Sequence, residues 1–191
     1  MDGCAKFGLF PTELGAMGIA WSQRGVAGVF LPELDEVALR RRIARRLPAA
    51  QECAAPDRPA AVRSATAGIC ALLRGERRDL TGIALDLDAV PELHRRIYAA
   101  AREIQPGRTA SYGDVAARLG DRGLAREVGA AMARNPFSIV VPCHRVLAAD
   151  GKLGGFSARG GTETKLRLLS IEGVQMPGTT PLFAAASENT R

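Results

Sequence analysis

One cysteine stands directly before a histidine at the end of an apolar run. Residues 137–141 lead through Pro142 into Cys143 and His144, and His144 is one of only 2 histidines in the chain. The thiolate is the nucleophilic form of cysteine, and a neighbouring base can draw off the thiol proton. Cys143 is therefore a candidate nucleophile and His144 its candidate base. The alternative is a buried cysteine that acts only as a small hydrophobic side chain.

The pair raises a geometric problem. Residues 137–141 are predicted to form a strand. Successive residues of a regular strand point to opposite faces, so Cys143 and His144 would face apart if this strand simply continued. Either the backbone turns after Pro142, or a water molecule bridges the thiol and the imidazole. A histidine base also needs a group that orients its ring. Glu172, near the end of the last predicted helix, is the candidate, and its alternative is a solvated glutamate at a helix end.

The elements before residue 89 predict a small α/β subdomain. Residues 17–22 and 26–31 are two β-type runs around a short glycine-containing turn, which is typical of a hairpin. Residues 34–47 carry apolar side chains at positions 34, 37, 39, 43 and 47 with arginines between them, which predicts an amphipathic helix. The remaining predictions are a third strand at 7–14, a loop at 51–59, a helix at 59–74 and a strand at 83–87.

The second part of the chain predicts mainly helices. Residues 112–119 and 124–133 are two short helical runs joined by a glycine-containing turn, a helix-turn-helix pattern that many helical hairpins share. Ser111 and Asp114 have the spacing of a capping box at the start of the first of these helices. Further helices are predicted at 91–105 and 162–172. The predicted division is an N-terminal subdomain at 1–88, a C-terminal domain at 89–173 and a flexible tail at 174–191.

Composition limits the classes of function. The chain has 191 residues and a net charge of +6, carried almost wholly by arginine. This charge suits a polyanionic partner, although arginine-rich chains also arise from GC-rich coding sequence. We expect a cytoplasmic protein, because no apolar run is long enough to span a membrane and no secretory signal is visible. The 4 cysteines have no short C-x-x-C spacing, so we expect free thiols and neither a metal nor a cofactor.

Three motifs resemble one family. They are Asn135-Pro136, the run Pro-Cys-His-Arg-Val at 142–146 and the run Leu-Leu-Ser-Ile-Glu-Gly at 168–173. Together they resemble the methylated-DNA–protein-cysteine methyltransferases, or O6-alkylguanine-DNA alkyltransferases, most strongly between residues 91 and 173. The resemblance implies an α/β, ribonuclease-H-like N-terminal subdomain. It also implies a mainly α, winged-helix-like C-terminal domain with a helix-turn-helix.

The resemblance also implies an activity and its residues. A monomer on double-stranded DNA would flip out O6-alkylguanine, or O4-alkylthymine, and move the alkyl group irreversibly to its own cysteine. The implied catalytic residues are Cys143 as acceptor, His144 as a base acting through water, Glu172 orienting His144, Asn135 bracing the turn, and Tyr112 donating to the leaving purine. The implied DNA-binding residues are Arg126, Tyr112, Ala125, Ala133 and Arg134. The implied pocket residues are Val146, Phe156, Ser157 and Lys165.

The chain also departs from the family pattern. Phe156 stands where some members have tyrosine, and Ala158-Arg159 replaces a glycine-rich stretch, so Arg159 would narrow the pocket mouth or contact a phosphate. Two other functions compete with repair. A damage-recognition module related to this family would lack the acceptor, but Cys143 is present. A helix-turn-helix transcription regulator with an inert Cys143 would need base-reading side chains, and the alanine-rich second helix offers few.

Overall fold

A four-stranded sheet is built from the first third of the chain. The computed structural model describes residues 5–175, so Cys4 and most of the predicted tail, residues 176–191, lie outside the described residues. The strands are β1 (Lys6–Thr12), β2 (Gly15–Ser22), β3 (Gly25–Phe30) and β4 (Gln51–Glu52), in the order β3-β2-β1-β4. β1, β2 and β3 pair antiparallel, and β4 pairs parallel to β1. The predicted hairpin and third strand are confirmed.

Helix α1 (Glu36–Arg46) covers one face of this sheet. Its Leu39 and Ile43, one turn apart, are fully buried against Phe7, Ala20 and Phe30. The prediction of a wider apolar stripe was wrong at two positions, because Leu34 is 73% exposed and Val37 is 56% exposed. The helix begins only after its cap Asp35, so position 34 precedes it. Position 37 lies about 200° around the helix from position 39, on the solvent side.

The opposite face of the sheet carries the main core. Met17, Ile19 and Trp21 alternate along β2 toward this face, as the period of a strand requires. They join a cluster that includes Ile69 of α2 (Ala60–Leu73) together with buried residues from the C-terminal half, such as Ile97, Val128 and Leu168. The segments before and after residue 88 therefore share one continuous hydrophobic core, which fixes the position of the C-terminal elements against the sheet.

Two predicted strands do not form. Residues 83–87 make a single bridge, Val26 to Leu85, and residues 137–141 contribute only the bridges Val29 to Phe137 and Ser138 to Val141. Each segment contacts the sheet at one point and then leaves it, so β-branched composition without a continuous partner strand was misleading. The predicted loop at 51–59 is right except that it opens with β4 and contains a 3-10 turn at Ala55–Asp57.

The C-terminal half is helical around one two-stranded sheet. Its elements are α3 (Glu92–Arg102), β5 (Ala110–Ser111), α4 (Tyr112–Arg118), α5 (Ala125–Ala133), β6 (Val146–Leu147) and α6 (Thr162–Ile171). The capping box is confirmed, because Ser111 Oγ accepts from Asp114 N at 3.0 Å and Asp114 Oδ2 accepts from Ser111 N at 3.0 Å. β5 and β6 pair parallel and join the start of α4 to the segment after Cys143. None of the helices in residues 5–175 has the length and apolarity that a membrane span requires.

Candidate active site

The backbone turns immediately after Pro142. Cys143–Arg145 form a 3-10 turn that Pro142 enters with φ −81° and ψ 65°, and Arg145 N donates to Pro142 O at 2.9 Å. The sequence left two ways for Cys143 and His144 to cooperate, a backbone turn after Pro142 or a bridging water molecule, and the structure contains the turn. Cys143 and His144 are buried on this turn, with exposed fractions of 8% and 0%. The opposite-face rule for strands does not apply to them.

Asn135 braces the loop that leads into the turn. Its Nδ2 donates to Val141 O at 2.8 Å, and its Oδ1 accepts from Phe137 N at 2.9 Å. Between these contacts the buried Ile139 has φ 74°, the one positive φ outside glycine in the described chain. A β-branched residue in this region costs about 1–3 kcal/mol, so the surrounding contacts must impose the conformation. The position of Cys143 is thus held by a strained and cross-braced loop.

A buried carboxylate connects the turn to the last helix. Glu172, which caps the end of α6, lies with Oε1 2.9 Å from His144 Nε2. Arg145 holds both carboxylate oxygens, with Nε donating to Oε2 at 2.8 Å and Nη2 donating to Oε1 at 2.7 Å. The side chains of all three residues are at most 6% exposed. Glu172 is therefore not the solvated helix-end glutamate of the alternative interpretation.

The contacts decide where the protons lie. Burial would raise the pKa of Glu172, but hydrogen bonds from His144 and Arg145 outweigh it and lower that pKa to about 2, so the carboxyl is ionised. Burial lowers the pKa of His144 from its ordinary value despite the attraction of Glu172, so the ring is neutral at pH 7. Its single proton then lies on Nε2, facing the carboxylate. Nδ1 is left as a buried acceptor with no hydrogen-bond partner among residues 5–175.

Cys143 is held as a thiol at rest. Burial raises the pKa of Cys143, and hydrogen bonding with Asn135 and the charge of Lys165 oppose this shift only in part. Lys165 is fully buried, and its Nζ donates to Val146 O at 2.6 Å and to Leu153 O. Burial lowers the pKa of Lys165 to about 8. A neutral thiol and, on the next residue, an unprotonated imidazole nitrogen are the two groups that general-base activation of a nucleophile needs.

The thiol opens into a pocket of about 350 Å³. The lining consists of small and apolar residues with two hydroxyls, namely Tyr112, Gly129, Met132, Ala133, Cys143, Gly155, Phe156 and Ser157. Burial, together with the nearby Cys143, raises the pKa of Tyr112, so its hydroxyl is protonated and can donate. A larger cavity, about 990 Å³, lies beside α2 and the β2–β3 turn, but neither cysteine nor histidine is among the described residues that line it. The chemistry points to the smaller pocket.

The residues predicted for the site are placed as follows. Cys143, Tyr112, Ala133, Phe156 and Ser157 line the pocket together. Val146 and Lys165 are fully buried and do not line it. On α5, Ala125 is half-buried, and Arg126 and Arg134 are exposed near its first and last residues. No group of three metal-binding side chains is found within residues 5–175.

Two residues of the site were missed from the sequence. Arg145 stands inside the quoted motif, but nothing in the local pattern indicates that its guanidinium is buried on Glu172. Gly107 has φ 78°, and a Cβ built on it would lie 2.9 Å from Glu172 O. Its N–H also approaches Glu172 Oε2 at 3.4 Å. Gly107 thus lets the backbone pass close to the end of α6, where a residue with a side chain would not fit.

Comparison with known proteins shows which family the chain resembles. Residues 92–174 match the family described as 6-O-methylguanine DNA methyltransferase, DNA binding domain. The methylated-DNA–protein-cysteine methyltransferase of Mycolicibacterium paratuberculosis is 41% identical over 127 residues, 66% of this chain and 74% of that protein. The one from Methanothermobacter thermautotrophicus is 33% identical over 162 residues, 85% of this chain and 82% of that protein.

A solved structure gives the same result for the fold. The crystal structure of Mycobacterium tuberculosis OGT in complex with DNA superposes with a TM-score of 0.69 at 28% identity, covering 87% of this chain and 92% of that one. The pocket cysteine, its buried histidine and carboxylate, and these similarities lead to one conclusion: the chain belongs to the methylated-DNA–protein-cysteine methyltransferase family.

Proposed function

We propose that this protein repairs DNA by taking the alkyl group from O6-alkylguanine in duplex DNA onto Cys143. One observation carries the proposal: the Cys143 thiol lines a pocket, and the next residue is a neutral His144 whose Nδ1 is buried and unpartnered within the described chain. The same reaction would serve O4-alkylthymine, whose alkyl carbon is likewise bonded to a base oxygen. The catalytic roles assigned to Cys143, His144, Glu172, Asn135 and Tyr112 are part of this proposal.

The proposed step is a displacement at the alkyl carbon. His144 Nδ1 takes the thiol proton through a water molecule, and the sulfur forms a bond to the alkyl carbon. The carbon–oxygen bond breaks, its electron pair stays on the base oxygen, and the leaving guanine gains a proton, for which the Tyr112 hydroxyl is the donor. The products are unmodified guanine and a thioether at Cys143. Because a thioether is not hydrolysed, each molecule acts once.

Access to the lesion requires that the base leave the helix. An alkylated base oxygen lies within a stacked duplex, and swinging the nucleotide out costs a few kcal/mol. We propose that α4 and α5 bind DNA as a helix-turn-helix with α5 in the minor groove, where Ala125, Gly129 and Ala133 allow a close approach. Arg126, exposed in the first turn of α5, would fill the gap that the base leaves. Arg134 would contact the backbone.

Pocket shape follows from the same proposal. Phe156 and Ser157 would contact the flipped base, since both line the pocket, whereas the fully buried Val146 and Lys165 would support its walls from outside the lining. Lys165 does so through Val146 O and Leu153 O, which fix the segments on either side of the pocket. The exposed Arg159 lies two residues after the pocket residue Ser157, and it would contact a phosphate or restrict bulky adducts.

The finer description of the architecture is also proposed. The segment 1–88 would be a ribonuclease-H-like subdomain, in keeping with its mixed sheet covered by helices. The segment 89–173 would be a winged-helix-like domain, in keeping with α3 to α5 beside the β5–β6 pair. The boundary falls between the isolated bridge at Leu85 and the start of α3.

The deciding experiment maps the alkyl group. The protein is incubated with duplex DNA containing one O6-methylguanine, digested, and analysed by peptide mass spectrometry. The expected result is one methyl on Cys143 and unmodified guanine in the DNA, with no transfer by Cys143→Ala and normal transfer by the matched control Cys70→Ala. Methyl transfer by Cys143→Ala would overturn the mechanism. Tight lesion binding without any transfer by the unsubstituted protein would favour the damage-recognition alternative.

A further inference from the structure

An arginine-lined groove adjoins the proposed reaction pocket. It has a volume of about 600 Å³ and lies between α1, the start of α3 and the loop after α5. Its basic lining residues are Arg42, Arg45, Arg46, His94 and Arg134, and none of the described residues that line it is acidic. The groove thus joins cations from both halves of the chain.

Most of these cations have no anion. Arg42 forms an ion pair with Glu33, but Arg45, Arg46 and Arg134 are exposed and have no ion pair within residues 5–175. On the same helix, Arg40 is held by both Glu36 and Glu52, whereas Arg41 lies outside the groove, exposed and without an ion pair within residues 5–175. Like charges brought together across two segments repel each other, which disfavours the folded state unless an anion binds between them.

Two of the unpaired arginines, Arg46 and Arg134, act electrostatically on the buried Tyr98. The charges of Arg46, at the end of α1, and of Arg134, just after α5, both act on the Tyr98 hydroxyl, opposing the rise in the pKa of Tyr98 that burial causes. That hydroxyl donates to Ala131 O at 3.1 Å in the last turn of α5. Both guanidinium groups therefore lie within electrostatic reach of this hydroxyl.

The groove is continuous with the pocket. Ala133 and Ser157 line both cavities, and Asn135, which braces the loop before Cys143, lines the groove as well. A nucleotide with its base in the pocket is joined to the next nucleotide of its strand by a phosphodiester. The DNA strand must therefore leave the pocket past its walls. The wall formed by Ala133 and Ser157 also borders the groove with its unpaired arginines.

We propose that this groove binds the phosphodiester backbone of the lesion strand next to the flipped nucleotide, so that α1 of the N-terminal subdomain is part of the DNA-binding surface. The proposal rests on the proposed function, since it needs DNA in the pocket. Arginine suits this partner because its planar fork donates two parallel hydrogen bonds to phosphate oxygens. Arg45, Arg46 and Arg134 supply the forks.

The test compares two double variants of equal charge. Arg45→Ala/Arg46→Ala removes the two groove arginines of α1 that have no ion pair, and Arg41→Ala/Arg77→Ala removes two arginines that are exposed, unpaired within residues 5–175 and outside the groove. Both are made in a Cys143→Ala background, so that binding to an O6-methylguanine duplex is measured without reaction. Urea unfolding of each variant checks that the fold is kept.

Affinity and its salt dependence are the first readouts. Each phosphate contact adds about 0.9 to the slope of log affinity against log salt, so losing both arginines lowers the slope by about 1–2 and the affinity by about 10-fold at low salt. The control double variant keeps the slope of the Cys143→Ala protein. Equal losses in both variants, or no loss in either, would overturn the groove proposal.

Position along the strand is the second readout. Single phosphates on either side of the lesion are replaced by uncharged methylphosphonates. The expected result is that the Cys143→Ala protein loses affinity at one or two consecutive positions beside the lesion, while the groove variant does not respond at those positions. If both respond alike, the groove does not hold that strand. Methyl transfer to Cys143 by the unsubstituted protein is scored separately, so failure of the groove proposal and failure of the repair function remain distinguishable.

Discussion

Arg145 and Glu172 form a buried bidentate ion pair, with Nε donating to Oε2 at 2.8 Å and Nη2 to Oε1 at 2.7 Å. The same Oε1 also receives the contact from His144 Nε2 at 2.9 Å. Two successive residues of one turn therefore converge on a single carboxylate at the end of α6. Arg145 helps to fix the carboxylate that contacts His144, so the site and the packing of α6 depend on the same contacts.

We predict that Arg145→Ala destabilises the fold by about 3–5 kcal/mol, because it leaves the Glu172 carboxylate buried without its main partner. Arg145→Lys keeps the charge but not the planar fork, so its stability should lie between those of the unsubstituted protein and Arg145→Ala. Urea unfolding measures the loss. The matched control is Arg118→Ala, whose exposed ion pair with Glu103 at 3.5 Å should contribute less than about 1 kcal/mol. Similar losses in both variants would contradict the buried-pair argument.

The depressed pKa of Glu172 predicts a pH-dependent stability. The unfolded carboxyl titrates near its ordinary value of 4.5, and the folded one at about 2. The stabilisation from this difference, about 3 kcal/mol, is fully present above pH 4.5 and is lost progressively as the pH falls toward 2. Other carboxyls also titrate in this range, so the measurement is the difference in unfolding free energy between the unsubstituted protein and Glu172→Gln at pH 6 and pH 3. A difference that does not shrink on acidification would refute the assignment.

The raised pKa of Cys143 predicts low reactivity toward a simple electrophile. At pH 7 the buried thiol is protonated and 8% exposed, whereas Cys53 is only half-buried. Iodoacetamide needs a thiolate, so it should label the more exposed Cys53 well before Cys143. O6-Methylguanine DNA should modify Cys143 alone. Peptide mass spectrometry after short exposures measures the order in which each reagent modifies the cysteines. Faster labelling of Cys143 than of Cys53 by iodoacetamide would indicate a resting thiolate instead.

Local patterns predicted most of the fold. The two β-type runs of the hairpin and the helix start at Ser111 are encoded within a few residues, and they formed as expected. The prediction of a strand at 137–141 was wrong, because β-branched composition does not show that Ile139 takes a left-handed backbone in the loop braced by Asn135. A strand needs a partner, and partners are set by tertiary packing.

The sequence predicted the reactive residues of the site but not the long-range contacts that hold them. Cys143 beside His144 is a local signal, but the contact of Arg145 with Glu172 spans 27 residues of sequence. Composition alone does not show that an arginine will be buried, since arginine is usually exposed. Lys165 illustrates the same limit, because its buried contacts with two carbonyls are set by how α6 packs and not by any motif around it.

Arg126 should matter for the duplex and not for the isolated base. If its side chain offsets about 2–3 kcal/mol of the cost of unstacking a nucleotide, Arg126→Ala slows methyl transfer from duplex DNA by about 100-fold. Free O6-benzylguanine needs no flipping, so its reaction with the variant should slow by less than about threefold. Single-turnover rates on both substrates give the ratio. Arg77→Ala, also exposed and without an ion pair within residues 5–175, is the control and should leave both rates unchanged. Equal losses of rate on the two substrates would show that Arg126 acts on the chemistry or the fold, and not in place of the displaced base.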